Sequence, residues 1–177
     1  MTRLQTQRLT LRPIQPRDAG AIFEIYSSPA VCEFFDLRPF EEASQAERHV
    51  ARWIRLADEG RQFRHAIIHA AHVIGTCGIY AVNTAHGRAS IGCDLLPAYW
   101  DRGLMSEALR EYLPFVFREH GLSRLQGLAM PNNGASVRLL EKLGFRHEGV
   151  LRNYERWDGK GHVDLAMYAL LSEDGAG

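Results

Sequence analysis

The segment that most constrains the fold is YWDRGLMSEAL at residues 99–109, where one glycine, Gly103, separates a predicted strand from a predicted helix. The apolar run at 89–97 predicts the strand, and helically spaced apolar residues at 106–121 predict the helix. A further strand is predicted at 124–131. Because a strand, a crossover helix and a strand form a parallel pair, this region predicts one parallel connection in the sheet.

Only the short segment AAH separates the predicted strands 62–69 and 73–83, which predicts an antiparallel hairpin. Residues 29–43 contain two prolines and no clean period, so we predict a loop there with at most a short helix. The element order β-α-α-β-β-β-α-β-α-β-β predicts a mixed α/β fold, a mostly antiparallel sheet flanked by helices, in one domain over 1–177. The remaining predicted strands are 8–14, 62–69, 73–83 and two within 145–171 around an Asp158-Gly159 turn, and the remaining predicted helices are 15–28, 41–60 and 133–144.

Composition excludes several classes of function. The net charge is zero and the pI is about 7.1, whereas a nucleic-acid-binding domain needs a basic face. The three cysteines, Cys32, Cys77 and Cys93, are odd in number and lack CxxC spacing, which argues against a disulfide framework. No apolar run approaches a membrane span or a signal peptide. We therefore expect a cytoplasmic protein with no nucleic-acid partner and no membrane association.

A turn that leads into a helix is able to bind an anion, since the first N–H groups of a helix have no intrahelical partners. Gly103 lacks a Cβ and would allow close backbone approach to a ligand. The segment has no Gly-Lys-Ser/Thr and no three-glycine fingerprint, which disfavours ATP and NAD. Taken alone, a single glycine before a helix is more often ordinary turn chemistry than a phosphate site.

Several motifs in order carry a more specific signal: RLTLRPIQPRDA, IGCDLLPAYWDRGLMSEAL, NNGASVRLLEKLGF and HEGVLRNYERWDGK. Together they resemble the GNAT superfamily of acetyl-CoA-dependent N-acetyltransferases, and most of all its Rim-type ribosomal-protein N-terminal acetyltransferase branch. The resemblance implies a sheet with splayed central strands and acetyl-CoA as co-substrate. It also implies that the phosphate bound at the turn is the pyrophosphate of coenzyme A.

The family's pyrophosphate loop, Gln/Arg-x-x-Gly-x-Gly/Ala, falls on residues 100–105 of this chain, with Trp100 in the first place and Met105 departing from Gly/Ala in the last. We expect the Met105 N–H to face the cofactor while its side chain turns to the core. The resemblance also implies free backbone N–H groups at the end of strand 89–97, one of which would meet the thioester oxygen. The implied cofactor-binding residues are Leu95, Leu96, Arg102, Gly103, Met105, Ser106 and Asn133.

Two residues are predicted to act in catalysis. By the family's Asn-x-x-Ser pattern, Asn133 contacts pantetheine and Ser136 donates a proton to the departing thiolate; the alternative is that these residues only cap a helix. Glu155 matches a glutamate that takes the amine proton through water in Rim-type enzymes, and the alternative is a solvated strand glutamate. Strand alternation places Tyr154 and Glu155 on opposite faces unless a bulge intervenes. Other candidate bases are Glu33, Asp36, Asp94 and Glu148.

Loop 29–42 is predicted to border the acceptor amine. There Glu33 or Asp36 would hold an ammonium, and Phe35 with Phe34 and Phe40 would form an apolar wall; the alternative is that these aromatic residues pack onto the core. The expected acceptor is a primary amine, most plausibly a protein N-terminal α-amino group, attacked directly in a ternary complex. The alternatives are a small-molecule amine acetyltransferase, acting on an aminoglycoside, polyamine or amino acid, and a non-catalytic acyl-CoA-binding module. We expect no metal site, and relatives that are often dimers suggest a homodimer.

Overall fold

The computed structural model describes residues 3–174, which form one eight-stranded sheet with helices on both faces. The strands are β1 Leu4–Gln5, β2 Thr10–Pro13, β3 Phe63–His69, β4 His72–Asn83, β5 Arg88–Leu95, β6 Arg124–Ala129, β7 Arg146–Trp157 and β8 Gly161–Leu171. The helices are α1 Ala19–Tyr26, α2 Pro29–Cys32, α3 Ala43–Asp58, α4 Leu104–His120 and α5 Gly134–Lys142.

The sheet has the order β1-β2-β3-β4-β5-β6-β8-β7. Every adjacent pair is antiparallel except β5 and β6, which are parallel and are joined by α4. The predicted fold class and the predicted parallel connection are therefore confirmed. No helix among residues 3–174 combines the length and apolar character needed to cross a bilayer.

Element ends differ from prediction where local backbone geometry intervenes. Helix α4 begins at Leu104 rather than at 106, because Gly103 adopts a left-handed conformation with φ 72° and serves as its N-cap. Strand β5 ends at Leu95 rather than at 97, because Pro97 opens a short 3-10 turn. The two-residue strand β1 carries too short a pattern to be recognised from sequence.

Each face of the sheet has its own hydrophobic cluster. Under α4 lies the larger one, which includes the fully buried Leu104, Tyr112 and Leu125. Under α1 and α3 lies a second one built around Tyr26 and Trp53. The sheet thus separates the molecule into an α4 face and an α1/α3 face.

The parallel ladder between β5 and β6 ends early. Its last pair is Ile91 with Gly127, whereas β4 stays paired with β5 as far as Leu95 and β6 stays paired with β8 as far as Ala129. Beyond Ile91 the two central strands consequently diverge and leave an opening, which we call the gap.

A buried ion pair holds the divergent end of β5. The Asp94 carboxylate, with none of its side chain exposed, pairs with the Arg64 guanidinium from β3. It also accepts hydrogen bonds from the Tyr26 hydroxyl at 2.7 Å, from the Thr76 hydroxyl at 2.6 Å and from the Thr76 N–H at 3.0 Å. Arg64 donates a further bond from Nε to Thr76 Oγ1 at 2.7 Å. These contacts anchor β5 to β3, β4 and α1 from one side.

We predict that Asp94→Asn lowers the free energy of unfolding by about 3–5 kcal/mol, because Arg64 would keep a buried charge without its counter-ion. Urea denaturation measures the change. A double replacement, Arg64→Met with Asp94→Leu, is expected to recover much of this loss, since it removes both buried charges. Glu59→Gln, at an exposed ion pair with Arg55, is the matched control and is expected to have a far smaller effect. An unchanged denaturation midpoint in Asp94→Asn would contradict the anchoring role.

Candidate cofactor and acceptor site

The amino-terminal end of α4 presents unpaired backbone donors. Its first intrahelical hydrogen bond runs from the Glu107 N–H to the Gly103 carbonyl at 3.0 Å, and no side chain caps the helix. The N–H groups of Leu104, Met105 and Ser106 therefore lack intrahelical acceptors and point out of the helix end. Together with the helix dipole, they form a site suited to a phosphate.

The side chains of this first turn point away from those donors. Met105 packs against the α4-face cluster, the orientation expected from the sequence, and Ser106 is buried. The positive φ of Gly103 makes any other residue strained at that position. Backbone groups therefore dominate the surface that an anion would meet.

Three contacts order the turn that precedes α4. The Trp100 indole Nε1 donates to the Leu95 carbonyl at 2.7 Å, which ties the turn to the end of β5. The Arg102 guanidinium lies 5.3 Å above the centre of the Tyr99 ring. In turn, the Arg102 carbonyl accepts from Arg8 Nη1 at 3.2 Å. The turn is thus held in place before any ligand binds.

The amino-terminal segment reaches the same turn through Glu107. Its carboxylate accepts from Arg8 Nε at 2.6 Å, from the Arg8 N–H at 2.8 Å and from the Thr6 hydroxyl at 2.5 Å. Burial acts to raise the pKa of Glu107, but these hydrogen bonds from Thr6 and Arg8 outweigh it and hold that pKa below its ordinary value. Arg8 was not singled out from the sequence, because its partners lie about a hundred positions further along the chain.

The two predicted leucines of β5 differ in their backbone contacts. The Leu96 N–H donates to the Ile74 carbonyl of β4 at 2.8 Å and is therefore already engaged. In an antiparallel pair, successive residues alternate between groups that face the partner strand and groups that face away. The N–H and carbonyl of Leu95 accordingly face the gap, and Leu95 is the better placed of the two to meet a ligand.

Helix α5 flanks the gap on the β6 side. The Asn133 side-chain oxygen accepts from the Ser136 N–H at 3.1 Å, so Asn133 does cap the helix, as the alternative interpretation anticipated. This bond leaves the Asn133 amide NH₂ to serve a ligand. Helix α5 approaches strand β6 closely because Gly127 has no side chain. A Cβ at Gly127 would lie 2.6 Å from Leu140 Cδ2.

The α1/α3 face carries polar side chains beside the last pairs of the β5–β6 ladder. Tyr80 on β4 is paired with Ser90 on β5, and the Ser90 hydroxyl accepts from Gln126 Nε2 at 3.0 Å. Burial raises the pKa of the Tyr80 hydroxyl, and the nearby Glu155 carboxylate raises it further. The Tyr80 hydroxyl therefore stays neutral and able to donate a hydrogen bond on this face, and the sequence analysis did not single it out.

Glu155 lies on this same face. Its carboxylate accepts from Trp157 Nε1 at 2.7 Å, and the buried Trp157 packs in one cluster with Leu128 of β6. Leu128 is two residues from Gln126, so both share one face of the strand. Glu155 thus belongs with Tyr80 and Gln126 near the point where the central strands separate.

A bulge interrupts β7 just before Glu155. The register passes from Leu151 opposite Leu165 directly to Glu155 opposite Val163, with Asn153 at φ 50°. Tyr154 and Glu155 both lie near enough to Tyr80 to raise the pKa of its hydroxyl. The sequence analysis made the opposite-face placement of Tyr154 and Glu155 conditional on a regular strand, and the bulge interrupts that regularity.

The other candidate carboxylates have structural partners or lie apart. Asp94 is enclosed by the network described above, so no substrate reaches it. Glu148 pairs with Arg124 at 2.5 Å, and Asp36 accepts from the Asp158 N–H at 2.9 Å. Glu33 is exposed, and its carbonyl accepts from Lys160 at 2.5 Å. Among these groups, Glu155 has the best access to the face beside the gap.

Lys160, at the tip of the β7–β8 hairpin, fixes the loop after α2. Its ammonium donates to the carbonyls of Cys32 at 3.3 Å, Glu33 at 2.5 Å and Phe35 at 3.0 Å. The Phe35 ring also meets Tyr26 edge-on at 6.2 Å, and Phe40 is buried in the same cluster. These two aromatic residues pack on the core, as the alternative interpretation anticipated, and the loop is tied to the tip of the hairpin whose first strand carries Glu155.

Known proteins resemble this chain in sequence and in architecture. Residues 8–146 match the family model of the acetyltransferase (GNAT) domain. The chain is 36% identical to the uncharacterized N-acetyltransferase p20 of Bacillus licheniformis over 100% of both proteins. It is 26% identical to the [ribosomal protein uS5]-alanine N-acetyltransferase of Escherichia coli, covering 97% of this chain and 92% of that one.

Solved structures agree on the fold. An acetyltransferase of the GNAT family from Bacillus anthracis superposes with a TM-score of 0.83 at 25% identity, covering 97% of this chain and 99% of that one. The ribosomal-protein acetyltransferase RimL in complex with coenzyme A has a TM-score of 0.88 at 20% identity, covering 98% of this chain and 99% of that one. The chain therefore belongs to the GNAT family and is an acetyl-CoA-dependent N-acetyltransferase.

Proposed function

We propose that this enzyme acetylates the N-terminal α-amino group of a protein, by direct attack of the amine on the thioester of acetyl-CoA. The observation that carries the choice of acceptor is the exposure of Tyr154 and Glu155 on the face beside the gap. Two cavities lie elsewhere, one beside Glu24 and Tyr99 and one between the start of α1 and α3. Small molecules are usually bound in enclosed pockets, whereas an open face suits the end of a polypeptide. Relatives named for ribosomal proteins support the same acceptor class.

Acetyl-CoA is proposed to bind on the α4 side of the gap. The N–H groups of Leu104, Met105 and Ser106 would hold the pyrophosphate, next to Gly103 and the Arg102 and Arg8 side chains. The pantetheine arm would run along the unpaired edge of β5 toward Ile91. Asn133 would contact that arm through the amide NH₂ that capping leaves free.

The amine would approach from the opposite face of the sheet. Glu155 would take its proton through a water molecule, because only the neutral amine attacks a carbonyl. A backbone N–H on the edge of β5 that faces the gap would stabilise the oxyanion of the tetrahedral intermediate. Ser136, in the first turn of α5, would donate a proton to the departing thiolate.

Cysteine chemistry supports direct transfer over an acyl-enzyme. Cys93 is the cysteine on the strand that borders the gap, and burial raises the pKa of its thiol to about 12. Burial likewise raises the pKa of the Cys77 thiol. Since the thiolate is the nucleophilic form, neither group is activated for attack at neutral pH.

Ligand-dependent stability tests the cofactor assignment. Acetyl-CoA at about 100 times its dissociation constant should stabilise the native state by about 2.7 kcal/mol, whereas ATP and NAD should not. For a domain of this size, the expected rise in Tm is several degrees, of the order of 5 °C. No rise in Tm at saturating acetyl-CoA would contradict the assignment.

The acceptor class is tested in the same preparation by release of free CoA thiol. Peptides with free N-termini are expected to support turnover, and the same peptides with blocked N-termini are the matched control. Preferential turnover of an aminoglycoside, polyamine or free amino acid would contradict a protein acceptor and favour the small-molecule alternative.

We predict that Glu155→Gln slows turnover by about 100-fold or more at pH 7, the usual scale of general-base catalysis. An α-amino group has a pKa of about 7.7–8.0, so the defect should shrink above pH 8, where the amine is already neutral. Glu148→Gln, a change in the same strand at a glutamate paired with Arg124, is the matched control. A pH–rate profile of Glu155→Gln parallel to that of the wild type would place the base elsewhere.

A further inference from the structure

Trp100 is exposed in a way that its two counterparts are not. Its exposed fraction is 42%, whereas Trp53 and Trp157 are 6% and 7% exposed. Although the Trp100 ring is exposed, its indole N–H donates a hydrogen bond to the Leu95 carbonyl at 2.7 Å. That carbonyl belongs to the last residue of β5, beside the gap.

Along the edge of β5 that faces the gap, the backbone N–H and carbonyl groups repeat every two residues. The Leu96 N–H bonds to Ile74 of β4, so alternation turns the backbone groups of Leu95 and of Cys93 toward the gap. An extended ligand carrying amide groups would find the same donor and acceptor pattern at both positions. Two registers of pairing, separated by about 7 Å for two residues, are therefore available in principle.

The Trp100 indole blocks the register in which the ligand would pair with the Leu95 carbonyl. The Leu95 carbonyl already accepts a hydrogen bond, and a second donor would have to reach that oxygen beside the indole ring itself. The carbonyl of Cys93 has no such neighbour in the turn. A ligand amide that needs an acceptor on β5 is therefore directed to Cys93, closer to the point where the strands join.

We propose that Trp100 is a positioning residue that sets the register of the acyl-CoA arm on β5 by occupying the Leu95 carbonyl. The proposal rests on the proposed placement of acetyl-CoA in the gap. When the arm pairs with the Cys93 carbonyl, its thioester lies near Ile91 and Gly92, next to the face that carries Tyr80 and Glu155. Pairing with the Leu95 carbonyl would leave the thioester about 7 Å short of that position.

The same hydrogen bond joins the two halves of the cofactor site. Trp100 stands in the turn that leads to Gly103, and Leu95 ends the strand that borders the arm. Their contact fixes the separation between the phosphate-binding end of α4 and the edge of β5. Losing it would allow the turn to bind phosphate while the arm is misplaced.

Two substitutions separate the hydrogen bond from the aromatic surface. Trp100→Phe keeps a ring but has no donor, whereas Trp100→Gln has no ring but offers an amide N–H. We expect Trp100→Phe to lower kcat by roughly 10- to 100-fold, as for other small misplacements of reacting groups, while the Kd for acetyl-CoA changes less than about threefold. Trp100→Gln is expected to recover most of that kcat. Both Kd values are measured by isothermal titration calorimetry, and kcat by release of CoA thiol.

The outcomes distinguish this proposal from the function on which it rests. If the wild type binds acetyl-CoA and Trp100→Phe keeps wild-type kcat, the register role is overturned. If Trp100→Gln is as slow as Trp100→Phe, or if both variants lose affinity with unchanged kcat, the ring rather than the donor matters, and the proposal is also overturned. Should Trp100→Phe fail to fold, the kcat of Trp100→Gln alone decides between recovery and loss. A wild type whose Tm does not respond to acetyl-CoA would instead reject the proposed function.

Discussion

The architecture depends on keeping β5 in place where it is hydrogen-bonded along one edge only. Beyond Ile91 the strand has β4 on one side and the gap on the other. A strand end with an unpaired edge would normally shift to satisfy its backbone groups. The buried Asp94 carboxylate prevents this by joining β5 to Arg64, Thr76 and Tyr26 from the α1/α3 face. The gap stays open because the Asp94 network holds β5 on the α1/α3 face.

The functional surfaces follow from that open edge. On the α4 face, the first turn of α4 supplies free N–H groups at one end of the gap. On the opposite face, Tyr80, Gln126 and Glu155 gather beside the point where the strands part. A ligand in the gap would therefore present its reactive end to a second substrate on the other side of the sheet. This arrangement brings two reactants together with little need for the protein to move.

The features that depend on residues close together in the chain were predictable from the sequence. A glycine before an amphipathic helix predicts the free helix end, and strand and helix periods predict the α/β order. What escaped prediction depends on contacts between distant residues. The Arg8–Glu107 pair spans a separation of 99 positions, and Lys160 reaches carbonyls more than 120 positions away. The β7 bulge is also invisible to the sequence pattern, because alternation assumes an unbroken register.

The central claim is that the Leu95 N–H has no partner in the free enzyme and donates a hydrogen bond when acetyl-CoA is bound. Residue-resolved amide hydrogen exchange by NMR tests it directly, with the Leu96 amide as an internal control because it bonds to Ile74 in the free enzyme. We expect the Leu95 amide to exchange fast in the free enzyme and to become protected with acetyl-CoA, while Leu96 is protected in both states. A Leu95 amide that is already protected in the free enzyme, or that gains no protection with acetyl-CoA, would contradict the account.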